Sequence, residues 1–390
     1  MRNSAERILT THVGSLPRPQ TLIEAFVAED RGVAIDRAAY EALLKEAVDE
    51  VVGRQVALGI DIVDDGEFSK RGFAVYANER LDGYEARPRP RGIPWGGSRE
   101  ALAFPEFYET VRPHGPGALL PVDEMVCVGP VRYRGRQQLD RDLANLRAAV
   151  DAHGAAEAFV PAISPVDVAG NQKNEHYASD EAFLYAVADA MNEEYRAIVE
   201  AGFILQIDDP HLVTHYVKTP DLEMEEYRKW LAAQVEAINH ALKGVPADRV
   251  RYHTCYGINM GPRVHEVELG WVLDIVLEIE AGAFSFEAAN PRHEHEWQLW
   301  KETSLPEGKL LIPGVITHSS VLVEHPELIA ERILRFARLV GRENVIAGGD
   351  CGFGTNASAT PEIHPSVVWA KFQALAEGAR IASRALWSRP

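Results

Sequence analysis

Short runs of apolar residues alternate along the chain with longer stretches in which apolar positions recur every three to four residues. The longer stretches have the period of amphipathic helices and lie at about 36–58, 182–201, 219–243, 267–281, 325–340 and 364–385. The short runs have the length and composition of buried strands and lie at 7–15, 60–67, 158–166, 203–210, 250–257, 283–288, 310–318 and 344–352. Eight strands alternating with helices predict parallel pairing, and a closed (β/α)8 TIM barrel is the simplest α/β architecture at this length.

One segment, 68–157, breaks this alternation. It is rich in Pro, Gly and Arg, as in "EARPRPRGIPWGGSRE", and it contains one short strand-like run, "EMVCVGPV". We therefore predict a single catalytic barrel domain, 1–390, with an insertion at 68–157 between strands 2 and 3. An insertion of this length is typical of a lid, a substrate wall or an oligomer contact.

The bulk properties narrow the classes of function. The composition, 46% hydrophobic and 25% charged, is that of a globular protein, and a formal net charge of -18 argues against a nucleic-acid partner. The N-terminus lacks the apolar core of a secretory signal, and no apolar run approaches the length of a membrane span. Three cysteines cannot form a disulfide framework. We expect a cytoplasmic protein without a membrane partner, in which paired Cys and His indicate metal binding or catalysis.

Ionisable or metal-binding side chains end seven of the eight apolar runs. In a TIM barrel the C-terminal strand ends meet at the catalytic face, and burying such groups is costly unless they have partners or bind a ligand. We therefore interpret them as parts of one site. They are His12–Ser15, Asp64–Glu67, Asp208–Asp209, His253–Cys255, Glu287, His318 and Asp350–Cys351.

The His and Cys residues among them suggest a metal. His253 and Cys255 lie on the same face of a strand because side chains alternate with a period of two, and Cys351 ends another strand. Two thiolates, an imidazole and the carboxylate of Glu287 form a set that favours Zn²⁺ over Mg²⁺ or Ca²⁺. The sequence leaves open whether Glu287 is a ligand or instead holds a His or an ammonium group.

Other candidates have simpler explanations. Cys127 lies in the insertion without a Cys or His partner, so we expect it to be a small core residue. His293 and His295 follow a strand in helix-forming surroundings, and we do not expect them to be ligands. For His12, contact with the substrate and a structural hydrogen bond both remain open.

At these residues the sequence resembles the catalytic C-terminal barrel of cobalamin-independent methionine synthase, almost end to end except for 68–157. The family holds a zinc with His-x-Cys, a Glu at a strand end and a Cys in an Asp-Cys-Gly turn. The resemblance implies that the corresponding ligands here are His253, Cys255, Glu287 and Cys351.

The resemblance also implies a binding site for the amino acid part of homocysteine. The family's substrate turn is similar to Val13–Gly14–Ser15, and its two substrate-binding carboxylates are similar to Glu67 in "DDGE" and Asp208 in "QIDDP". We predict that these residues, with His12, bind the substrate. The family's proton-donating histidine resembles His318 in "GVITHS", so His318, Glu67 and Asp208 are the predicted catalytic residues.

The departures from the family concern the methyl donor. The Arg-Cys pair and the "TxLxWS" stretch that contact folate in the family are absent, and Thr214 stands where the family has an acidic residue. The corresponding regions read "VCVGPVRYRGR" and "PAISPVDVAGN". Similar single-barrel relatives transfer alkyl groups to coenzyme M, in one case by opening an epoxide, or take methyl groups from corrinoid proteins.

We therefore predict a zinc-dependent alkyl (methyl) transferase that acts on homocysteine or a similar small thiol, with a donor other than folate polyglutamate. An epoxide- or ether-opening thiol transferase is the alternative within the same chemistry. A zinc hydrolase, and a protein in which zinc is only structural, are alternatives of other classes. The two thiolates favour thiol alkylation, because zinc hydrolases usually have His-rich sites. A corrinoid protein as the donor and a homo-oligomeric state both remain open.

Overall fold

The eight predicted strands are all present in the computed structural model, which describes residues 1–88, 95–110, 123–257, 261–357, 361 and 363–388. Three further strands lie outside the barrel: β3 (Leu81–Arg87), β4 (Glu124–Tyr133) and β6 (Lys173–Asn174). The barrel strands are β1 (Leu9–Thr10), β2 (Ile62–Val63), β5 (Glu157–Ile163), β7 (Ile204–Asp208), β8 (Val250–Thr254), β9 (Ala283–Phe286), β10 (Leu310–Ile316) and β11 (Ile346–Gly349).

These eight strands form one parallel sheet in the order β1-β11-β10-β9-β8-β7-β5-β2. The outer strands β1 and β2 face each other: Asp61 N donates to the carbonyl of Thr10 at 3.1 Å, and the Thr11 hydroxyl donates to the carbonyl of Ile62 at 3.0 Å. These bonds bring the two edges together, so the sheet closes into the predicted barrel.

Amphipathic helices surround the barrel, and five of the six predicted helices are confirmed with small shifts at their ends. The exception is 267–281, which consists of a 3₁₀ helix, Leu269–Trp271, and the four-residue α11 (Leu273–Val276). Gly270 lies in this segment, and a Cβ there would be 2.9 Å from Leu299 Cδ2; glycine also lowers the helix propensity of the segment.

In the described ranges the α-helices begin with α1 (Gln20–Asp30), α2 (Arg37–Ala57), α3 (Val75–Arg80), α4 (Arg99–Ala103), α5 (Pro105–Thr110), α6 (Arg136–His153) and α7 (Pro165–Gly170). They continue with α8 (Asp180–Glu200), α9 (His211–Lys218), α10 (Met224–Ala241), α11, α12 (Pro326–Val340) and α13 (Pro365–Trp387). The other 3₁₀ helices are Ala247–Arg249, Glu294–Lys301 and Arg342–Asn344. No helix of the described ranges is both long enough and apolar enough to cross a membrane.

The predicted insertion, 68–157, was too long at its C-terminal end. Residues 136–153 of it form α6, an amphipathic helix that packs against α2 and leads directly into β5, so α6 is a regular barrel helix. The extra segment is therefore 64–135. Its strands β3 and β4 pair antiparallel and join β6 in a small separate sheet, where Cys127 is buried as expected.

The inside of the barrel is layered. At the bottom, an apolar layer takes one or two residues from seven of the strands, among them Ile204, Ala283 and Ile346. Gln206 lies two residues further along β7, and Arg251 lies beside it on β8; both are buried polar side chains. Because side chains on one face recur every second residue, the next layer contains the strand-end residues of the predicted site.

Candidate active site

Three of the four predicted metal ligands meet at the ends of β8 and β11. The imidazole of His253 and the sulfurs of Cys255 and Cys351 offer ligand atoms that lie within 4.8 Å of one another. The two sulfurs are 3.1 Å apart, and all three residues are buried. The predicted His-x-Cys pair and the distant cysteine therefore form one cluster.

The chemistry of this cluster fits a zinc ion. His253 Nδ1 lies 3.0 Å from the Ser285 hydroxyl, whereas its Nε2 is buried and has no hydrogen-bond partner in the described ranges. Burial lowers the pKa of His253 to about 3, so the ring is neutral and able to bind a metal. The hydrogen bond with Cys351, together with burial, raises the pKa of the Cys255 thiol well above its ordinary value. A metal cation beside Cys255 would lower the pKa of this thiol again, because metal-bound thiols are deprotonated.

Glu287, the fourth predicted ligand, lies outside this cluster. Arg263 Nη2 donates to both carboxylate oxygens at 3.1 and 3.2 Å, and Asn290 Nδ2 donates to Oε2 at 2.8 Å. Burial is the largest single effect on Glu287 and opposes its ionisation, but Arg263 and the other neighbouring polar groups, among them Asn290, together outweigh burial and lower the pKa to about 2. The carboxylate is therefore charged and bound by protein groups, and its role as a ligand remains a prediction.

His318 lies next to Glu287 and Asp350, and the three offer ligand atoms within 4.8 Å of one another. Burial lowers the pKa of His318 to about 4 and raises that of Asp350 to about 7. Asp350 Oδ1 accepts hydrogen bonds from the backbone N–H groups of Ala288 and Ala289 at 2.8 and 2.9 Å. Asp350 thus fixes the loop that follows Glu287. His318 does not line the cavity described next, and its predicted acid role remains a prediction.

A cavity of about 190 Å³ opens beside the His253, Cys255 and Cys351 cluster. It brings together most of the predicted site residues with several that the sequence did not indicate. Its lining is Val13, Ser15, Glu67, Phe73, Ala74, Asp167, Asn171, Asp208, Pro210, His253, Cys255, Gly257, Cys351, Gly352 and Thr355.

The predicted substrate turn lies against the two predicted carboxylates. Gly14 has a φ of 136°, and a Cβ there would lie 2.6 Å from Pro161 Cγ and 2.9 Å from Glu67 Oε1, so only glycine fits. Glu67 itself has a positive φ of 58°. The backbone N–H of Glu67 donates to Asp65 Oδ1 at 2.8 Å, and Arg18 donates to the Glu67 carbonyl at 2.9 Å. Such backbone strain in a residue other than glycine is typical of functional sites.

Asp208 is fixed by the polar layer beneath it. Gln206 Nε2 donates to Asp208 Oδ1 at 2.6 Å and to the Val13 carbonyl at 2.5 Å. Arg251 in turn donates to Gln206 Oε1 at 2.6 Å and to the His12 carbonyl at 2.5 Å. Burial and the neighbouring Glu67 raise the pKa of Asp208 well above its ordinary value, so a cation between the two carboxylates would relieve an unfavourable arrangement.

His12 serves a structural hydrogen-bond network. Its Nδ1 accepts from Gly14 N at 3.2 Å, and its Nε2 lies 2.7 Å from Gln55 Oε1. Burial lowers its pKa to about 3, so the ring is neutral and Nε2–H is the donor to Gln55. His12 does not line the cavity, so of the two readings left open by the sequence the structure favours the structural one.

Three groups at or near the site were missed in the sequence. Asp167 lines the cavity, Ser285 orients His253, and Arg263 binds Glu287. Asp167 comes directly after the apolar run 158–166, the one run to which no ionisable end was assigned. Ser285 lies two residues before Glu287, on the same face of its strand. Arg263 gave no sequence signal, since it lies in a loop 24 residues from Glu287.

Comparison with known proteins identifies the family. A sequence profile described as "Cobalamin-independent synthase, Catalytic domain" matches residues 8–92 and 169–370, which is more than half of the chain. The chain belongs to this family. The unmatched part between these two ranges, 93–168, includes most of the extra segment, together with α6 and β5.

The similarity to curated members of the cobalamin-independent synthase family spans most of both chains. The chain is 25% identical over 344 residues to a methionine synthase of Thermococcus kodakarensis, covering 88% of this chain and 86% of that protein. It is 26% identical over 346 residues to a methionine synthase of Saccharolobus solfataricus, with 88% and 87% covered.

Solved structures show the same fold. A B12-independent methionine synthase from Shewanella sp. W3-18-1, in complex with selenomethionine, superposes with a TM-score of 0.73 at 20% identity, covering 98% of this chain and 100% of that one. A putative vitamin-B12 independent methionine synthase from Listeria monocytogenes gives a TM-score of 0.65 at 18% identity, with the same coverage.

Proposed function

We propose that the protein is a zinc-dependent methyltransferase whose acceptor is the thiol of homocysteine or a close analogue. One observation supports this most directly. A single cavity joins the His253, Cys255 and Cys351 cluster to the carboxylates of Glu67 and Asp208. An amino-acid thiol has the two matching ends, a sulfur for the metal cluster and an ammonium for the carboxylates. The curated relatives, which are methionine synthases, support the same acceptor.

The carboxylate pair would bind the ammonium group of the acceptor. Glu67 Oε2 lies 3.5 Å from Lys70 Nζ and has no hydrogen-bond partner in the described ranges, so it retains capacity for a donor. Asp208 is held in place by Gln206, and its raised pKa reflects the need for a cation. An ammonium bound between them would neutralise one charge and make charge-assisted hydrogen bonds.

The metal cluster would activate the acceptor thiol. A zinc ion bound by His253, Cys255 and Cys351 supplies a Lewis acid that lowers the pKa of a thiol placed beside it, so the sulfur reacts as a thiolate. Ser285 fixes the His253 ring and leaves Nε2 free for the metal. Glu287 would be the fourth ligand, and Arg263 and Asn290, which donate to its carboxylate, would hold that carboxylate whenever it is not bound to the metal.

Methyl transfer is an in-line displacement, so the methyl carbon of the donor must lie between the acceptor sulfur and the leaving group. The extra segment 64–135 supplies part of the cavity wall that the donor would contact. Its Phe73 and Ala74 line the cavity. Its Trp95 lies against Gly257, where a Cβ would be 3.5 Å from the indole Cζ2. The segment is held there by Arg99, which donates to the carbonyls of Tyr216, Thr219 and Leu222.

X-ray absorption at the zinc edge tests the acceptor half of this proposal. Zinc-loaded protein should gain one sulfur ligand and lose one oxygen ligand when homocysteine is added. Methionine, which has the same amino acid part but no thiol, is the matched control and should cause no gain. An unchanged zinc coordination with saturating homocysteine would contradict the proposal and favour a hydrolase or a structural metal.

A further inference from the structure

The Asp, Glu, Lys and Arg side chains found among the described lining residues of the cavity are all acidic. Among its described lining residues are three carboxylates, those of Glu67, Asp167 and Asp208, and no Lys or Arg. All three are at least nine-tenths buried. Glu67 and Asp208 are accounted for by the ammonium of the acceptor. Asp167 is a third carboxylate that the acceptor does not need.

Asp167 faces the cavity with unused hydrogen-bonding capacity. It lies in the first turn of α7, where its backbone N–H donates to the N-cap Ser164 hydroxyl at 3.0 Å. Its side chain is 3% exposed, and its Oδ2 has no hydrogen-bond partner in the described ranges. His211 Nδ1, the nearest ring nitrogen, is 4.0 Å from Oδ1 and belongs to a neutral imidazole, since burial lowers the pKa of His211 to about 3.

A buried carboxylate oxygen without a partner is unfavourable, and a ligand group is the usual explanation in a cavity. Burial raises the pKa of Asp167 to about 6, while the charge of Lys218 limits the rise, so the group is mainly ionised at neutral pH. The missing partner is therefore a cation or a strong hydrogen-bond donor. The lining also includes the aromatic ring of Phe73, whose backbone N–H is anchored to the Thr355 carbonyl at 3.0 Å.

We infer that Asp167 and Phe73 form a subsite for the methyl donor, and that the donor is an onium cation of the sulfonium class. A carboxylate and an aromatic side chain that line one cavity can together recognise a methylated cation, because such ions have no N–H to donate and interact through charge and cation–π contact. This inference rests on the proposed function and extends it to the donor, because Glu67 and Asp208 bind the acceptor.

The chemistry of a sulfonium donor is balanced without further groups. The acceptor thiolate forms the new S–CH₃ bond, and the bond from the methyl carbon to the sulfonium sulfur breaks. Its electron pair stays on the departing sulfur, which leaves as a neutral thioether. The only proton released is the one that the acceptor thiol loses on binding. The leaving group needs no proton, so this donor places no demand on an acid in the cavity.

A binding experiment tests the subsite without requiring turnover. Tetramethylammonium, an unreactive analogue of a sulfonium ion, is titrated by calorimetry into zinc-loaded protein saturated with homocysteine, so that Glu67 and Asp208 are already occupied. We expect it to bind at least about tenfold more tightly than tert-butanol, a neutral compound of similar size. If the unmodified protein binds the two compounds equally tightly, or binds neither, the inference is overturned.

Variants then test whether the carboxylate of Asp167 is the group that binds the cation. Asp167→Asn should weaken tetramethylammonium binding by about tenfold or more, and Phe73→Leu by a few-fold. Asp209→Asn is the matched control: Asp209 is buried close enough to Asp167 for that carboxylate to help raise the pKa of Asp209 to about 8, but Asp209 does not line the cavity. If Asp209→Asn weakens binding as much as Asp167→Asn, the effect is not specific to the carboxylate that lines the cavity and the subsite is wrong.

Donor selectivity separates this inference from the proposed function. In single-turnover assays with homocysteine, Asp167→Asn should slow methyl transfer from trimethylsulfonium by about tenfold or more and transfer from neutral iodomethane by less than about threefold. An equal effect on both donors overturns the donor subsite. If the unmodified protein forms no methionine even from iodomethane, the proposed function fails, and the tetramethylammonium titration still decides on the subsite.

Discussion

The sulfur atoms of Cys255 and Cys351 lie 3.1 Å apart, although 96 positions separate the two residues in the sequence. Strands β8 and β11 are not neighbours in the barrel, since β9 and β10 lie between them. Two cysteines meet here only because their strands end at the same face of a closed barrel. Two buried thiols and an imidazole nitrogen that has no hydrogen-bond partner among the described residues, all converging on one point, are best explained by a metal.

The first prediction concerns that metal. Cys351→Ala should lose most of the bound zinc and nearly all activity while the barrel remains folded, because one of two thiolate ligands is removed from a site with few others. Metal content by mass spectrometry and the far-UV circular dichroism spectrum are the measurements. Cys127→Ala is the control, since Cys127 is buried in the separate sheet and should leave the zinc content unchanged. Full zinc occupancy in Cys351→Ala would show that the ligand assignment is wrong.

The second prediction concerns the acceptor. Glu67→Gln and Asp208→Asn should raise KM for homocysteine by roughly 10- to 100-fold, because each change removes a charged hydrogen bond worth about 1.5–3 kcal/mol. The same variants should have a much smaller effect on KM for 4-mercaptobutanoate, which is homocysteine without its amino group. Equal losses for the two thiols would indicate a structural or acid–base role for the carboxylates.

Much of this site could be predicted because the barrel repeats a simple rule. Each apolar run ends near the catalytic face, so His253, Cys255 and Cys351 could be grouped from strand ends alone. Helix α6 could also have been predicted from the sequence, because Leu139, Leu143, Leu146 and Val150 recur with helical spacing. It was missed because the whole of 68–157 was interpreted as one irregular segment.

Glu287 illustrates what strand ends cannot show. Its position at the end of β9 was predicted correctly, but its carboxylate is bound by Arg263, which lies in a loop after β8. Arg263 is in turn held by Glu266, which also pairs with His293. Such chains of ion pairs depend on how loops fold over the barrel, and loops have no periodic pattern from which the pairing can be read.

The third prediction concerns the polar layer below the site. Gln206→Leu should destabilise the protein by roughly 2–4 kcal/mol and raise KM for homocysteine, because it leaves a buried Arg251 nitrogen, the Val13 carbonyl and Asp208 Oδ1 without partners. Denaturant unfolding and steady-state kinetics are the measurements. A variant with lower stability but an unchanged KM would show that Gln206 supports the barrel without positioning Asp208 for the substrate.

The fourth prediction concerns pH. His293 lies 3.0 Å from both Glu266 and Glu296, and these partners outweigh burial and raise its pKa from 6.5 to about 9. A raised pKa means that the charged form stabilises the folded state. This contribution, about 3 kcal/mol at 1.36 kcal/mol per pKa unit, is complete below pH 6.5 and is lost as the pH rises through 9.

The difference in unfolding free energy between the unmodified protein and His293→Gln should therefore shrink as the pH rises from 6 towards 9.5. His295→Gln, which alters an exposed histidine two residues away, is the control and should have little effect at any pH in that range. A difference for His293→Gln that does not change with pH would show that His293 contributes by packing against Tyr256, on which it stacks at 3.8 Å, and not by its charge.

The last prediction is that methyl-tetrahydrofolate polyglutamate is a poor donor. The folate-contacting Arg-Cys pair and "TxLxWS" stretch of the resembling family are absent, and the loss of several contacts at roughly 1–3 kcal/mol each would reduce turnover by orders of magnitude. The cavity adds a physical reason. Its described lining contains three carboxylates and no Lys or Arg, so an anionic glutamate tail would meet charges of its own sign.

Single-turnover assays with zinc-loaded protein, homocysteine and the mono- and triglutamate donors provide the test, with the triglutamate expected to be no better than the monoglutamate. Methionine formed at about 1 per second or faster, a rate typical of enzymes, would show that the protein accepts folate despite these differences.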